Sequence, residues 1–458
     1  MKMFTETLQR KRSTQLAPAM PTQGIWGNKA AFESDPLQFL LDAHKQYGDI
    51  VRIRLGPFSF HILSDPKESY AILVDREKHY SKRTAGYQFL SRALGQGLVT
   101  SEGTLWRKQR RVAQPAFRRS AIGDLAARMS EAAQDKVAGW RDNQRIGLAQ
   151  EMTSLTLRIA GETLFDIDIS NKSSELSCYV NELQDFFQKA ITSPLVALFP
   201  KAPLPANLHF NRCISSLDRI IFQIIEQRRK SPSSKATLLQ LFMDARDDDG
   251  YSMSDRQLRD EVITMLLAGH ETTANTLVWT QYLLAKHPKI ADKVSLELDM
   301  VLAGSAPTHE NIAQLTYLAQ VLKESLRLYP PAWSMGRRAE QEDKILGKTI
   351  PKGTIVLLSP YVIHRQPGIW PSPNDFDPDR FAAEKGSPAK GTYWPFLIGP
   401  RKCIGEHFAM TEALIVLATV LSKFKLNLVN DIEVSCDPSV TLRPKSEIYV
   451  KLSKREPA

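Results

Sequence analysis

Cys403 stands in the stretch FLIGPRKCIGEHFAM, residues 396–410, between the basic pair Arg401–Lys402 and a helix-forming apolar run. A helix N-terminus exposes unpaired N–H groups and partial positive charge, and together with nearby cations it stabilises a thiolate. Three fates are open to such a thiol. It can be a buried structural cysteine, the commonest case. It can be a nucleophile, for which the nearest base, His407, falls a full helical turn downstream. Or it can ligate a metal where one thiolate suffices, haem iron being the leading case. Gly399 and Gly405 leave room for backbone or a flat ligand to come close.

A second group sits in DEVITMLLAGHETTANTLVW, residues 260–279. The stretch is apolar nearly all round and predicts a buried helix, yet it carries His270, Glu271, Thr272 and Thr273 at its middle. A buried carboxylate is costly unless paired, and mid-helix threonines bond back to carbonyls and open the helix locally. Such a helix is either core with satisfied polar groups or one that crosses an active site with a carboxylate and a hydroxyl to handle protons. A zinc reading fails, because HExxH needs a histidine where Ala274 stands. A third group is Glu324 and Arg327, three apart and on one helix face. Alone, such a pair is usually a surface ion pair of little worth. Its apolar flanks Val321, Leu322, Leu326 and Leu328 predict burial, and a buried pair needs a further partner. Arg380 in FDPDRF can supply it.

The elements that must position these groups are mostly helical. An Asp-Pro entry opens a helix from residue 36 that ends at Gly48, and two short strands follow about Gly56-Pro57. From residue 66 to roughly Lys289 the pattern is helical with Gly/Ser/Pro loops. KILGKTIPKGTIVLLSP, KLNLV and SEIYVKL read as strands, and the Pro/Asp-dense stretch 366–381 as irregular coil. The fold class is therefore mainly α with small β-sheets (α+β), because strands and helices do not alternate as a parallel α/β sheet requires. Residues 1–30 read as a flexible lead-in and 31–458 as a single domain.

Composition sets the outer bounds. The 458 residues are 43% hydrophobic and 24% charged, which permits a large core. Lys plus Arg exceed Asp plus Glu by 60 to 50, with a local concentration at Arg107, Lys108, Arg110, Arg111, Arg118 and Arg119. That cluster is either a solvated helix face or a docking surface for an anionic partner. No nucleic-acid module accompanies it. Four scattered cysteines exclude a disulfide scaffold or zinc ribbon. They suit a reducing compartment. With no signal peptide and no stretch of ~20 apolar residues, the expected location is the cytoplasm.

Taken in order, these motifs resemble those of the cytochrome P-450 haem-thiolate monooxygenases along nearly the whole chain. Phe396, Gly399, Arg401, Cys403 and Gly405 match the family's cysteine loop; AGHETT, from Ala268, matches its central-helix pattern; Glu324–Arg327 its ExxR pair; FDPDRF its coil motif; and Trp106 with Arg110 its W-x-x-x-R. Leu397 departs from the family's usual Gly or Ser. The resemblance implies a triangular helical domain with a smaller β-rich region and haem b as cofactor. Cys403 would be the axial ligand of the iron. Trp106, Arg110, Arg338 and Arg401 would pair with the propionates, Arg338 being taken over its neighbour Arg337. Phe396, Gly405 and Ala268 would lie against the haem. Glu271 and Thr272 would be the acid–alcohol pair that delivers protons during dioxygen activation. Glu324, Arg327 and Arg380 would be structural.

The same resemblance implies a lipophilic substrate (fatty-acid, terpenoid or steroid-like) contacted by Tyr87, Phe89, Leu98, Ile263, Leu267, Ala332, Trp333, Met335 and Leu442, with Phe186, Phe187 and Leu195 as additions. No flavin or iron–sulfur module follows the last strand, so electrons are expected from a separate ferredoxin or flavodoxin with its reductase, docking on the basic cluster and Lys402. The alternatives are a haem-thiolate peroxygenase or isomerase, which usually lacks the acid–alcohol pair, and a haem-binding sensor without turnover.

Overall fold

Asp35 starts the first long helix as the sequence requires: its carboxylate accepts from the Gln38 N–H at 3.0 Å, Pro36 occupies the first turn, and Gly48 stops the helix at φ 83°. A computed structural model describes residues 16–22, 24–167, 179, 182, 183, 186, 202–231, 237–246, 252–430 and 433–455. The long helices in chain order are α1 (Pro36–Tyr47), α2 (Ala85–Leu94), α3 (Gly103–Ala113), α4 (Arg119–Ala138), α5 (Leu148–Ala160), α6 (Pro205–Lys230), α7 (Asp255–Lys286), α8 (Pro288–Leu302), α9 (Thr316–Leu328) and α10 (Glu406–Lys423). The strands are β1 (Ile50–Leu55), β2 (Phe58–Leu63), β3 (Tyr80–Ser81), β4 (Arg145–Gly147), β5 (Met335–Ala339), β6 (Asp343–Ile345), β7 (Lys348–Ile350), β8 (Ile355–Leu358), β9 (Phe424–Leu428), β10 (Cys436–Pro438), β11 (Leu442–Pro444) and β12 (Tyr449–Lys454). Among the described residues no helix is long and apolar enough to cross a membrane.

Where one domain over 31–458 is expected from the sequence, the chain divides into two compact units. The first comprises residues 1–88, 332–375 and 387–403, the second residues 89–331, 376–386 and 404–458. In the first, a sheet runs in the order β1-β2-β8-β5-β3, with β2 and β8 parallel and the other neighbours antiparallel. Leu63, Ile72, Leu73, Val356, Leu358 and Trp394 belong to its apolar core. The flexible lead-in does not extend to residue 30. From Leu16 on the chain is pinned: Ala19 bridges Arg52, the Arg52 N–H donates to the Pro18 carbonyl at 2.7 Å, the Met20 N–H donates to the Arg52 carbonyl at 2.9 Å, and Ala17 is buried in the core. Satisfying the outer edge of β1 is what holds it there.

The second unit is built on α7, whose 32 residues begin with a capping box between Ser254 and Gln257. α7 is buried along nearly its whole length, and α5, α6, α9 and α10 pack against it. Two small sheets, β4-β12-β9 and β10-β11, complete the unit.

Within it, Glu324 and Arg327 of α9 form a bidentate pair at 2.7 and 2.8 Å with no exposed side-chain surface. Glu324 Oε1 also accepts from the Asp377 N–H at 3.0 Å and from Arg380 Nε at 3.2 Å. The third partner is thus the arginine of the Pro/Asp-rich coil, which is irregular apart from single turns such as Pro378–Phe381. Removing one member leaves a buried charge unpaired, at a cost of about 3–5 kcal/mol. Glu324→Ala is therefore expected to lower stability by that amount in a chemical denaturation series, whereas Lys293→Ala, on the exposed Lys293–Asp379 pair of the same region, is expected to change it by less than about 1 kcal/mol.

Candidate functional site

In the first unit the chain around Cys403 is closed by its own backbone. The Leu397 N–H donates to the Trp394 carbonyl at 3.0 Å, the Lys402 N–H to Gly399 at 3.0 Å, and the Cys403 N–H to Phe396 at 2.8 Å. Trp394 is the buried base of this loop: its N–H donates to His364 Nε2 at 3.0 Å and its indole N–H to the Gly391 carbonyl at 3.0 Å. Cys403 itself is exposed. Gly399 is required twice over. Its φ is +75°, and a Cβ there would lie 2.2 Å from the Leu73 carbonyl oxygen. Leu397 also adopts a positive φ, 61°, so a side chain stands in a left-handed position that costs it roughly 1–2 kcal/mol. Arg401 is nearly buried, with Nε 3.9 Å from Glu77 Oε1. Gly405 caps α10 at an ordinary φ of −89°, so no backbone demand singles it out.

Strand alternation separates the two adjacent arginines of β5. Met335, Arg337 and Ala339 point inward, while Gly336 and Arg338 lie on the more open face. Arg337 Nη1 donates to the Gly336 carbonyl at 3.0 Å and to the Tyr87 hydroxyl at 3.4 Å, and its Nη2 is buried with no hydrogen-bond partner. A buried guanidinium N–H left unpaired is costly, and an anion is the partner that removes the cost.

In the second unit α7 shows one window. From Leu258 to Leu284 every residue is buried except Leu267, Ala268, Gly269, Glu271 and Thr272, and of these Ala268 is exposed. The helix nevertheless stays continuous through this point, so the local opening expected from the threonines does not occur. Their hydroxyls do bond back: Thr272 to the Ala268 carbonyl at 2.7 Å, Thr273 to Gly269 at 3.0 Å and Thr276 to Thr272 at 2.8 Å. Glu271 turns the other way and accepts from the Thr441 hydroxyl. Burial holds His270 below the ordinary imidazole range. Its Nδ1 lies 2.7 Å from the Leu266 carbonyl, which fixes the proton on that nitrogen.

Two further acids on buried faces had no motif to announce them. Burial pushes Glu261 up to about 8, against the opposing hydrogen bond from the Leu98 N–H at 3.2 Å. Glu412 on α10 is pushed well above the carboxylate range by burial. The Thr273 hydroxyl beside it is committed to the Gly269 carbonyl, so neither Glu412 oxygen receives a hydrogen bond. Only the local mismatch of an acid in an apolar helix, as in EALIVLATVL, could have flagged it.

The other expected positions fall into three groups. Leu267 and Ala268 open on the window, and Tyr87, Phe89 and Ala332 are half-buried. Leu98, Trp333 and Met335 are buried with small residual surface. Ile263 and Leu442 are 0% exposed, so they are core and drop out as contacts. Phe187 and Leu195 lie outside the described residues; Phe186 stacks on Phe210 with ring centroids 4.1 Å apart, under Arg92. Arg110 sits 6.0 Å over the Trp106 ring on α3, while Arg107, Lys108, Arg111, Arg118 and Arg119 are exposed. Arg119 Nε meets His407 Nε2 at 3.5 Å.

The family profile described as cytochrome P-450 matches residues 18–452. Among curated proteins, the chain is 34% identical to cyclooctatin synthase of Streptomyces melanosporofaciens, covering 92% of this chain and 90% of that protein. It is 32% identical to cyclooctat-9-en-7-ol 5-monooxygenase of the same organism, covering 91% and 90%. It is 30% identical to pentalenene oxygenase of Streptomyces avermitilis, covering 92% and 94%.

The cysteine loop yields a direct test. Gly399→Ala is expected to be purified with well under half the haem content of the unmodified protein and with stability lowered by more than about 2 kcal/mol, the positive φ alone accounting for about 1–2. Absorbance of the bound haem and a thermal melt read both; a fully loaded, equally stable Gly399→Ala protein contradicts the close approach to Leu73.

Proposed function

Because the chain belongs to the cytochrome P-450 family, and is thereby a haem b-dependent monooxygenase, we propose that Cys403 is the thiolate that binds its iron and that its substrate is a cyclic terpenoid. The observation that carries this reading is the window on α7, where an otherwise buried helix exposes two apolar residues, a glycine, an acid and a hydroxyl within six positions. The chain fits the cofactor. A flat apolar group suits the exposed Ala268, and the orphaned Arg337 Nη2 suits a buried carboxylate such as a haem propionate. That moves the propionate assignment from Arg338 to Arg337, since Arg338 lies on the open face of β5. Trp106, Arg110 and Arg401 keep the roles the family pattern assigns them.

Haem, when bound, supplies the iron chemistry that activates dioxygen. The chain's own part is to bind, orient and move protons. The closed loop 394–403 holds the Cys403 backbone against rotation. Thr272, whose hydroxyl donates to the Ala268 carbonyl, keeps its oxygen available to accept a hydrogen bond, and Glu271 is the adjacent group able to supply a proton. Within the second unit, Leu267, Ala268 and Phe89 offer apolar surface, which suits a hydrocarbon skeleton. The named relatives act, by their names, on cyclooctat-9-en-7-ol and pentalenene, which favours terpenoids over fatty acids and steroids here. The exposed basic stripe Arg107, Lys108, Arg111, Arg118 and Arg119 fits an acidic ferredoxin or flavodoxin as electron donor.

Titrating the haem-loaded enzyme with cyclic diterpenes, cyclic sesquiterpenes, saturated fatty acids and steroids tests the substrate class. The expected result is a low-to-high spin shift at micromolar terpene and an oxygenated terpene product. A shift with fatty acids or steroids and none with terpenes overturns it. With the responding substrate, Thr272→Ala is expected to cut product formed per electron consumed by roughly tenfold or more; unchanged coupling removes Thr272 from proton delivery.

A further inference from the structure

Glu271 and Thr272 are neighbours on a helix, so their side chains leave it about 100° apart. What directs the Glu271 carboxylate is a residue 170 positions away: the Thr441 hydroxyl is its hydrogen-bond partner. Asn275 Nδ2 in turn donates to Thr441 Oγ1 at 3.1 Å. A hydroxyl has one proton and two acceptor sites. With an amide N–H on the oxygen, the proton of Thr441 is left for the carboxylate, which when ionised only accepts. The direction of the chain, from Asn275 through Thr441 to Glu271, is therefore set.

The turn that carries Thr441 is itself fixed to the same face of α7. Glu271, Asn275 and Trp279 recur every four residues and form one strip. The Trp279 indole N–H donates to the Leu442 carbonyl at 3.2 Å, and the Leu442 N–H donates to the Pro331 carbonyl at 3.0 Å. The Trp279 ring is stacked on Tyr329 with centroids 4.0 Å apart and planes 5° from parallel. A hydroxyl on so constrained a turn is a fixed reference point for a side chain on the helix.

We propose that Thr441 is a positioning residue for Glu271: with Asn275 it holds the carboxylate in one defined orientation, from which the acid serves Thr272. The proposal rests on the reading of Glu271 as the proton-handling acid beside the haem. It assigns no contact with the reacting atoms to Thr441 itself.

The C–O stretch of the reduced, carbon-monoxide-bound enzyme reads the orientation of nearby polar groups without turnover. Unmodified enzyme and Thr441→Ser are expected to share one band. Thr441→Val, which keeps the shape and removes the hydroxyl, is expected to shift or split it. Asn275→Asp, which replaces the donor by an acceptor, is expected to do the same and serves if Thr441→Val does not fold. In the double variant Thr441→Val/Glu271→Gln the band is expected to coincide with that of Glu271→Gln alone, because Thr441 acts through the carboxylate. A band that moves in Glu271→Gln but not in Thr441→Val or Asn275→Asp overturns the positioning role, as does a Thr441→Val shift that persists in full in the double variant. If Glu271→Gln itself leaves the band unmoved, Glu271 does not face the ligand side of the haem. The underlying reading then fails first and takes this proposal with it.

Discussion

One carboxylate, Glu324, accepts four hydrogen bonds where water does not reach. Two come from Arg327 on its own helix, and two from the coil at Asp377 and Arg380. A buried charge of this kind tolerates no missing partner, so it pins a stretch that its many prolines and aspartates leave without helix or strand. The chain that leaves this anchored coil runs on to the loop bearing Cys403. There a second tight constraint takes over: Gly399 passes against the Leu73 carbonyl at a distance no side chain allows. Each constraint acts within its own unit: the ion cluster fixes the coil in the second, and the glycine fixes the course of the cysteine loop past Leu73 in the first.

Polar groups in the middle of α7 are tolerated for separate reasons. The threonines return their hydroxyl protons to carbonyls one turn back, so each helical face carries its own compensation. His270 is kept neutral by burial and bonded to Leu266. On the neighbouring α10, burial likewise pushes Glu412 well above the carboxylate range, because desolvation makes its charged form expensive. Only Glu271 and Thr272 combine polarity with access, and that combination distinguishes a site from a satisfied core.

Local signals carried much of the fold. Asp35, Pro36 and Gly48 bound α1 through capping and breaking chemistry that acts within a turn, and the alternation around Gly56 yields β1 and β2. The burial of Glu324–Arg327 was readable because apolar neighbours flank it on both sides of the helix, and Arg380 followed from the need for a third partner. Other features depend on pairing that no local pattern encodes. Arg337 and Arg338 are adjacent and chemically alike; only the register of β5 against β8, with Arg337 opposite Val356, decides which one is buried. Ile263 and Leu442 looked like lining because they are apolar and near the motifs, yet packing closes over both. Residues 16–20 read as part of a flexible lead-in, whereas the edge of β1 and the strand at Thr349 hold them in place. Thr441 and Glu271 meet across 170 residues, which only the folded chain brings together.

The central claim is that Cys403, and no histidine, binds the iron. Its most direct test is the Soret position of the reduced, carbon-monoxide-bound protein, measured for the unmodified chain and for Cys403→His. Thiolate ligation by Cys403 predicts a strongly red-shifted band in the unmodified protein and its replacement by a histidine-type band in the variant. A folded, haem-loaded unmodified protein without the red-shifted band, or a Cys403→His protein that retains it, contradicts the account.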